Sequence, residues 1–278
     1  MSRILSACIA LCIIVIPVKA VKANITVPII YLDHAIPTIS LNINGKEVNK
    51  IAIDTGASSA FYLPQSIFDS IFFAQNHRKE IARSSDIFGV EKSSVAAKET
   101  NITINGKKLS AVDVEVFKPW GNGMLDDNGD SIINGVLGLG IVKNKTLIIN
   151  YASKILTIAD DFKVLPDSHH WQTIPFTRTE NGIELNVSSS DDKKVYRMLV
   201  DTGSSHTILF TRSKAGCIDL SLTCPKKNLV TPDGVKLSAL LFSIDDDRIN
   251  FDGLLGEDFL SNRILAISND QLLISLPK

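Results

Sequence analysis

The sequence carries almost no net charge: 29 Lys and Arg residues against 30 Asp and Glu residues give a formal charge of −1 at pH 7 over 278 residues. It also has no long basic run. Both absences argue against nucleic acid and anionic membrane as partners, because those surfaces attract clusters of positive side chains. The apolar content of 45% can fill a sizeable core, which predicts a globular protein of one large domain or two small ones.

A long apolar run is missing as well. The apolar segment at residues 4–16 is shorter than the roughly 20 residues that span a bilayer. It follows Arg3, ends at Pro17 and precedes small residues that a signal peptidase accepts at Ala20 or Ala23. We therefore predict a signal peptide over residues 1–23 and an exported protein, secreted or periplasmic, with no stable membrane association after cleavage.

Cysteine is scarce, and only Cys217 and Cys224 remain once the predicted signal is removed. In an exported protein two such cysteines are expected to form a disulfide; the alternative is a pair of free buried thiols. Neither the adjacent His169 and His170 nor the acidic residues around Asp126 have a complete ligand pattern. The sequence therefore predicts no metal and no cofactor.

What the sequence does contain is a repeat. Residues 51–59 read IAIDTGASS and residues 198–205 read MLVDTGSS, so an apolar strand twice delivers an acid into a Thr-Gly turn. If two related halves pack with two-fold pseudo-symmetry, Asp54 and Asp201 meet at the axis. Two carboxylates that close cannot both ionise, so one can act as general acid and the other as general base on a single water. This chemistry suits peptide hydrolysis.

At these residues the chain resembles the aspartic proteases, in the bilobal pepsin-like arrangement but with lobes short enough to be similar to the retropepsin-like type. The family places an apolar-apolar-Gly loop behind each catalytic turn, and residues 136–138 and 254–256 stand at those places. The resemblance covers roughly residues 36 to 276. It implies an all-β, acid protease fold of two pseudo-symmetric, β-barrel-like lobes, at residues 24–162 and 163–278, with the active-site cleft between them.

The resemblance also assigns roles to single residues. It makes the two aspartates catalytic, lets the threonine hydroxyls cross-link the two turns, and has the glycines permit a tight backbone close to the carboxylates. The implied site consists of the catalytic Asp54 and Asp201 with the supporting residues Thr55, Gly56, Thr202, Gly203, Ser204, Gly138 and Gly256.

A flap over the cleft is a further expectation. Phe88 and Gly89 lie between two candidate strands and could form its tip, although the family usually has Tyr there; an ordinary surface turn is the alternative. The turn at residues 231–234 has a similar spacing from Asp201. One flap or two therefore remains open at this point.

The residue after each triplet differs between the halves: Ala57 in the first and Ser204 in the second. In the family a hydroxyl there can hydrogen-bond the neighbouring carboxylate, and such a bond lowers a carboxyl pKa. The resemblance thus implies that Ser204 favours ionised Asp201 and that Asp54 holds the proton.

Together these features predict an exported, monomeric aspartic endopeptidase that acts on a peptide or protein substrate. One alternative is a catalytically silent member that serves as a peptide-binding or inhibitor module. Another is a structural envelope protein with buried acids, which would not explain why Thr-Gly follows each acid.

Overall fold

The structure is a computed structural model that describes residues 24–32, 36–73, 80–85, 91–119, 125–165, 170–213, 216–218, 223–244, 246–247 and 249–275. The predicted signal segment, the two predicted flap residues Phe88 and Gly89, and His169 lie outside the described residues. Strands dominate what is described, together with two short α-helices. Neither helix of this described part is long and apolar enough to cross a membrane.

The first lobe contains eleven strands and one helix. They are β1 (Ile25–Pro28), β2 (Ile30–Leu32), β3 (Ile36–Ile43), β4 (Lys46–Asp54), β5 (Phe61–Leu63), α1 (Gln65–Phe73), β6 (Glu80–Ser85), β7 (Glu91–Ile104), β8 (Lys107–Val116), β9 (Gly135–Gly138), β10 (Thr146–Asn150) and β11 (Ile155–Ala159).

The second lobe contains ten strands and one helix. They are β12 (Trp171–Thr173), β13 (Thr177–Thr179), β14 (Gly182–Ser189), β15 (Val195–Val200), β16 (Ile208–Thr211), β17 (Lys226–Val230), β18 (Lys236–Ser243), β19 (Gly253–Leu255), α2 (Glu257–Leu260), β20 (Ile264–Ile267) and β21 (Leu272–Ser275).

The local sequence explains the hairpin that leads to the first Asp-Thr-Gly turn. Asn44 and Gly45 both have positive φ, 49° and 83°, which is the geometry that Asn-Gly favours in a two-residue hairpin turn. Strand β3 on one side alternates between buried and exposed residues toward its end, and β4 on the other side becomes fully buried as it approaches Asp54. The turn thus fixes the register, and burial fixes which face of β4 points to the core.

Three sheets make up the fold, and two of them repeat one another. The first lobe's sheet has the order β2-β3-β4-β9-β5-β8-β7-β6 and the second lobe's has β13-β14-β15-β19-β16-β18-β17. Apart from β6 at one edge of the first sheet, the orders match strand for strand, and both sheets close through a matching extra pairing, β3 with β7 and β14 with β17. The all-β class and the two pseudo-symmetric, barrel-like lobes are therefore confirmed.

A third sheet joins the lobes. Its order is β1-β11-β10-β20-β21-β12, so it takes three strands from each lobe. The central pair, β10 and β20, is antiparallel, with Ile148 opposite Ala266. The buried side chains on one face of this pair, such as Leu265, belong to one continuous apolar core that also contains residues of both lobe sheets, such as Ile53 and Val200. The two lobes consequently share a core and do not depend on a surface contact alone.

The strand order of the two lobe sheets corrects the expectation that the turn at residues 231–234 corresponds to the region of Phe88 and Gly89. Strand β6 is the single strand with no equivalent among the described residues of the second lobe. The turn at residues 231–234 joins β17 to β18 and thus corresponds to the β7–β8 turn at Asn105 and Gly106, which the residue count alone had not indicated. It is not the equivalent of the Phe88–Gly89 region. Spacing misled because the first lobe has the additional strand β6 between its Asp54 turn and β7.

The 231–234 turn is also fastened in place. The carboxylate of Asp233, 1% exposed, accepts a hydrogen bond at 3.1 Å from Nε of Arg263, whose side chain is 5% exposed. Arg263 immediately precedes β20, and Pro232 accepts a hydrogen bond from Gln172 of β12. This turn is bound to the central sheet by a buried ion pair, which does not suit a movable second flap.

Candidate active site

Both Asp-Thr-Gly turns begin where a buried strand ends. Asp54 is the last residue of β4 and is paired with Gly138 of the parallel strand β9. Asp201 follows β15, and its N–H donates to the carbonyl of Leu255 at 3.0 Å on the parallel strand β19. Each aspartate is therefore positioned by a strand and by the apolar-apolar-Gly loop beside that strand.

The two turns are hydrogen-bonded directly to each other. Thr55 Oγ1 donates to the carbonyl of Val200 at 2.6 Å, and Thr202 Oγ1 donates to the carbonyl of Ile53, also at 2.6 Å. Each hydroxyl in turn accepts the other threonine's backbone N–H, at 3.1 and 3.3 Å. Both threonines are buried, at 1% and 2% exposure, so these four bonds are shielded from water. The structure places the threonines where the resemblance implies.

Within each turn a glycine N–H binds the carboxylate. Gly56 donates to Asp54 Oδ1 at 2.7 Å and Gly203 donates to Asp201 Oδ1 at 2.8 Å. A Cβ on either glycine would lie 3.2 Å from the same oxygen. Both glycines thus ease the close approach of the carboxylate, and neither has positive φ.

The loops behind the turns are equally tight. A Cβ on Gly138 would lie 2.6 Å from the carbonyl oxygen of Ala57, and one on Gly256 would lie 2.7 Å from that of Ser204. No side chain fits in this space without moving backbone. Gly138 and Gly256 therefore let each loop press against the turn that carries the aspartate.

The pKa values of both aspartate carboxyl groups are raised. Burial, followed by the charge of Asp201, raises the pKa of Asp54 to about 7, against the opposing hydrogen bonds from Gly56 and Ala57. Burial also raises the pKa of Asp201, opposed by the N–H groups of Gly203 and Ser204. The pair titrates as a unit, so the raised pKa belongs to the proton that the two carboxyl groups share. A buried carboxyl pair that shares a proton can supply an acid and a base together.

One expected contact is wrong. The hydroxyl of Ser204 donates to the carbonyl of His206 at 2.8 Å and not to the carboxylate of Asp201. The carbonyl lies two residues along the same turn, within easier reach of the short side chain. The expected direction, a proton held by Asp54, agrees with the raised pKa of Asp54, but its cause is burial and the neighbouring charge.

The candidate flap is described only at its base. Strands β6 and β7 pair antiparallel from Glu80 with Ala96 to Ser85 with Glu91, and the predicted tip residues Phe88 and Gly89 lie outside the described residues. Its base is connected to the segment after the Asp54 turn by a buried acid: Glu115, 4% exposed, accepts hydrogen bonds from the hydroxyls of Ser94 on β7 and Ser59. Sequence reasoning missed Glu115, because a single acid in a strand gives no signal of its partners.

The expected disulfide is confirmed. Cys217 and Cys224 are bonded, with their Cα atoms 5.6 Å apart, in the segment between β16 and β17. Within the described ranges no group of three or more His, Cys, Asp or Glu side chains is arranged to hold a metal ion.

Comparison with known proteins supports the fold. No protein-family model and no curated protein sequence matches this chain. Among solved structures, basic 7S globulin from soybean is similar with a TM-score of 0.55 and 11% identity over 91% of this chain and 95% of that one. The aspartic proteinase from Irpex lacteus is similar with a TM-score of 0.53 and 10% identity over 92% of this chain and 98% of that one. The chain therefore has an aspartic-protease-like fold. One neighbour is named a proteinase and the other a globulin, so activity has to be argued from the site.

Proposed function

We propose that this chain is an exported aspartic endopeptidase in which Asp54 and Asp201 share a proton and activate a water molecule against a peptide carbonyl. The observation that carries the proposal is the coupled carboxyl pair on two cross-linked turns, with the pKa of Asp54 raised to about 7. Strongly shifted pKa values cluster at acid–base sites, and keeping two buried carboxyl groups in this state costs stability at neutral pH.

The two aspartate side chains alone account for every proton transfer in the proposed reaction. Ionised Asp201 takes a proton from water while the water oxygen bonds to the carbonyl carbon, and protonated Asp54 gives its proton to the carbonyl oxygen. In the second step the carbon–nitrogen bond breaks, Asp201 passes its proton to the leaving nitrogen, and Asp54 regains a proton from a hydroxyl of the tetrahedral intermediate. The pair is thereby returned to its starting state.

The remaining parts of the proposal follow from the same fold. The substrate is a peptide or protein, held beneath the β6–β7 hairpin of the first lobe. The enzyme works as a monomer, since both aspartates come from one chain. The Cys217–Cys224 disulfide and the signal-like residues 1–23 support export.

The test is hydrolysis of a denatured protein by the mature chain and by two single variants, Asp54→Asn and Asp201→Asn. Each is expected to abolish cleavage with little change in Tm, and the double variant should be no worse than either single one, because one carboxyl cannot serve as both acid and base. Asp127→Asn, at an exposed aspartate, is the matched control.

Pepstatin, a mimic of the tetrahedral intermediate, should inhibit the parent. A parent that binds peptide without cleaving it would be a silent binding module and would refute the proposal. A single variant that keeps more than a few per cent of the activity would refute the shared-proton mechanism.

A further inference from the structure

Two side chains at matching positions cross from one lobe to the other. Tyr31 is the middle residue of β2 and Arg178 the middle residue of β13, the strands that open the two lobe sheets. The Tyr31 hydroxyl lies beside Glu257 of the second lobe, near enough that, after burial, the charge of Glu257 and a side-chain hydrogen bond with it raise the pKa of Tyr31. Arg178 Nη2 donates to the carbonyl of Leu139 in the first lobe at 3.0 Å. The crossings are reciprocal, although the residue types differ.

The residues that receive these bonds also match. Leu139 directly follows Gly138, and Glu257 directly follows Gly256. The N–H of Leu139 donates to the carbonyl of Ala57 at 2.8 Å, and the N–H of Glu257 donates to the carbonyl of Ser204 at the same distance. Ala57 and Ser204 each stand three residues after a catalytic aspartate. Arg178 therefore contacts the residue that is bonded to the Asp54 turn. Tyr31 contacts the residue that is bonded to the Asp201 turn.

The surroundings of Glu257 favour the contact with Tyr31. Lys154 lies 5.5 Å from the centre of the Tyr31 ring and, with His206, acts on Glu257 as a positive neighbour, while Asp258 acts as a negative one. Burial, with the charge and hydrogen bond of Glu257, raises the pKa of Tyr31 to about 12, so the phenol stays protonated as the donor.

Burial of the Arg178 side chain in the other crossing costs free energy. Its guanidinium is half-buried, and Nη1 is buried with no hydrogen-bond partner among the described residues. A buried unpaired N–H of a charged group costs free energy, so this side chain is a poor choice for stability alone. The bond it does make goes to the loop behind Asp54.

We propose that Tyr31 and Arg178 are positioning residues: reciprocal braces that hold the two catalytic turns from behind, each through the residue after the opposite loop glycine. The braces act on parts of the turns that the Thr55–Thr202 cross-link does not reach. Their effect on rate rests on the proposed protease function, whereas their effect on the turns does not. Small displacements of catalytic groups cost rate while leaving substrate contacts largely intact.

The first experiment separates kcat from KM. Tyr31→Phe and Glu257→Leu should each lower kcat about ten-fold with KM nearly unchanged, and together they should be no worse than either alone. Glu257→Gln should restore most of the rate, because its amide oxygen still accepts from Tyr31. Tyr196→Phe, at the end of β15 away from Asp201, is the control. An unchanged kcat in Tyr31→Phe, or a Glu257→Gln as slow as Glu257→Leu, would overturn the Tyr31 brace.

The second brace has its own pair of variants. Arg178→Met should lower kcat by a similar factor, whereas Arg197→Met should not, since Arg197 is half-exposed and pairs with Glu184 at 3.7 Å in the same lobe. Equal rates for the two variants would remove Arg178 from the proposal.

Hydrogen exchange tests the braces without activity. In Tyr31→Phe the amides of residues 202–206 should exchange several-fold faster, and in Arg178→Met those of residues 55–59, with β3 and β14 unchanged as internal references. A chain that cleaves nothing but shows these local changes would refute the protease function and keep the braces. A chain that cleaves but shows no local change in exchange would refute the braces and keep the function.

Discussion

The raised pKa of Asp54 makes the protein's stability depend on pH in a calculable way. This pKa moves from 3.8 to about 7 on folding, so the folded state binds the proton more tightly than the unfolded chain does. The stabilisation is fully present below about pH 4 and is lost as the pH rises through about 7. At about 1.4 kcal/mol for each pKa unit the whole shift corresponds to about 4 kcal/mol, of which roughly 2 to 3 kcal/mol is lost between about pH 5 and pH 8. Asp54 remains partly accessible, so the lower end of that range is the expectation.

The assay compares the parent with Asp54→Asn by urea unfolding at several pH values and constant ionic strength. Asp201 and Glu257 also have raised pKa values and contribute the same sign of pH dependence to both proteins. Because Asp54 and Asp201 titrate as a unit, the difference between the two proteins reports the proton that the pair shares: the parent should lose about 2 kcal/mol more than the variant between about pH 5 and pH 8. Asp127→Asn, which removes an exposed carboxylate, should track the parent. A difference that is flat with pH, or that favours the parent at high pH, would refute the buried, proton-holding carboxyl.

Three further predictions concern the frame around the site. Thr202→Val removes one donated and one accepted buried hydrogen bond, so it should cost about 2 to 4 kcal/mol of unfolding free energy by urea titration; a loss within error of zero would contradict the cross-link. Arg263→Met leaves the buried carboxylate of Asp233 unpaired and should cost about 3 kcal/mol, most of it recovered when Asp233→Asn is added; additive losses would show that the ion pair is not the cause. Mass spectrometry of an unreduced digest should find Cys217 linked to Cys224, and replacing both by Ser should cost about 2 to 3 kcal/mol at most; free thiols would remove the bridge.

The sequence was sufficient for the parts of this fold that are written in short motifs. The two Asp-Thr-Gly turns, the loops ending at Gly138 and Gly256, and the Asn-Gly hairpin before Asp54 each depend on a few neighbouring residues with a strict conformational or steric need. Because the same motifs occur twice in the same order, the pseudo-symmetric pairing of the lobes followed from them as well.

Contacts between distant residues were not predictable in this way. Tyr31, Arg178 and Glu115 are single polar residues in strands, and no periodicity marks which side chain crosses a lobe boundary. A usable signal did exist for Glu257, since it directly follows a loop glycine and the repeat gives it a partner position in the first lobe. The equivalence of the 231–234 turn failed for a related reason: counting residues from the aspartate ignores the additional strand β6, whereas strand order does not.

The position after each triplet gives a last prediction. If a hydroxyl there bonded the neighbouring carboxylate, as the resemblance implies, one at residue 57 would lower the pKa of Asp54 and move the pH profile downward. Ser204 at the equivalent place, however, donates to the carbonyl two residues on. The corresponding carbonyl in the first lobe is that of Ser59, which lies against Gly138 as the carbonyl of His206 lies against Gly256.

In Ala57→Ser the new hydroxyl should therefore donate to the carbonyl of Ser59. The pH dependence of kcat/KM should stay unchanged, because neither the protonated nor the ionised Asp54 carboxyl gains a hydrogen-bond donor. Its measurement is the pH profile of the parent and of the variant under identical conditions, with the descending limb near pH 7 set by the pKa of Asp54 in both. If that limb moved to lower pH in Ala57→Ser, the hydroxyl would be reaching the carboxylate after all, and the symmetry drawn from Ser204 would not hold at this position.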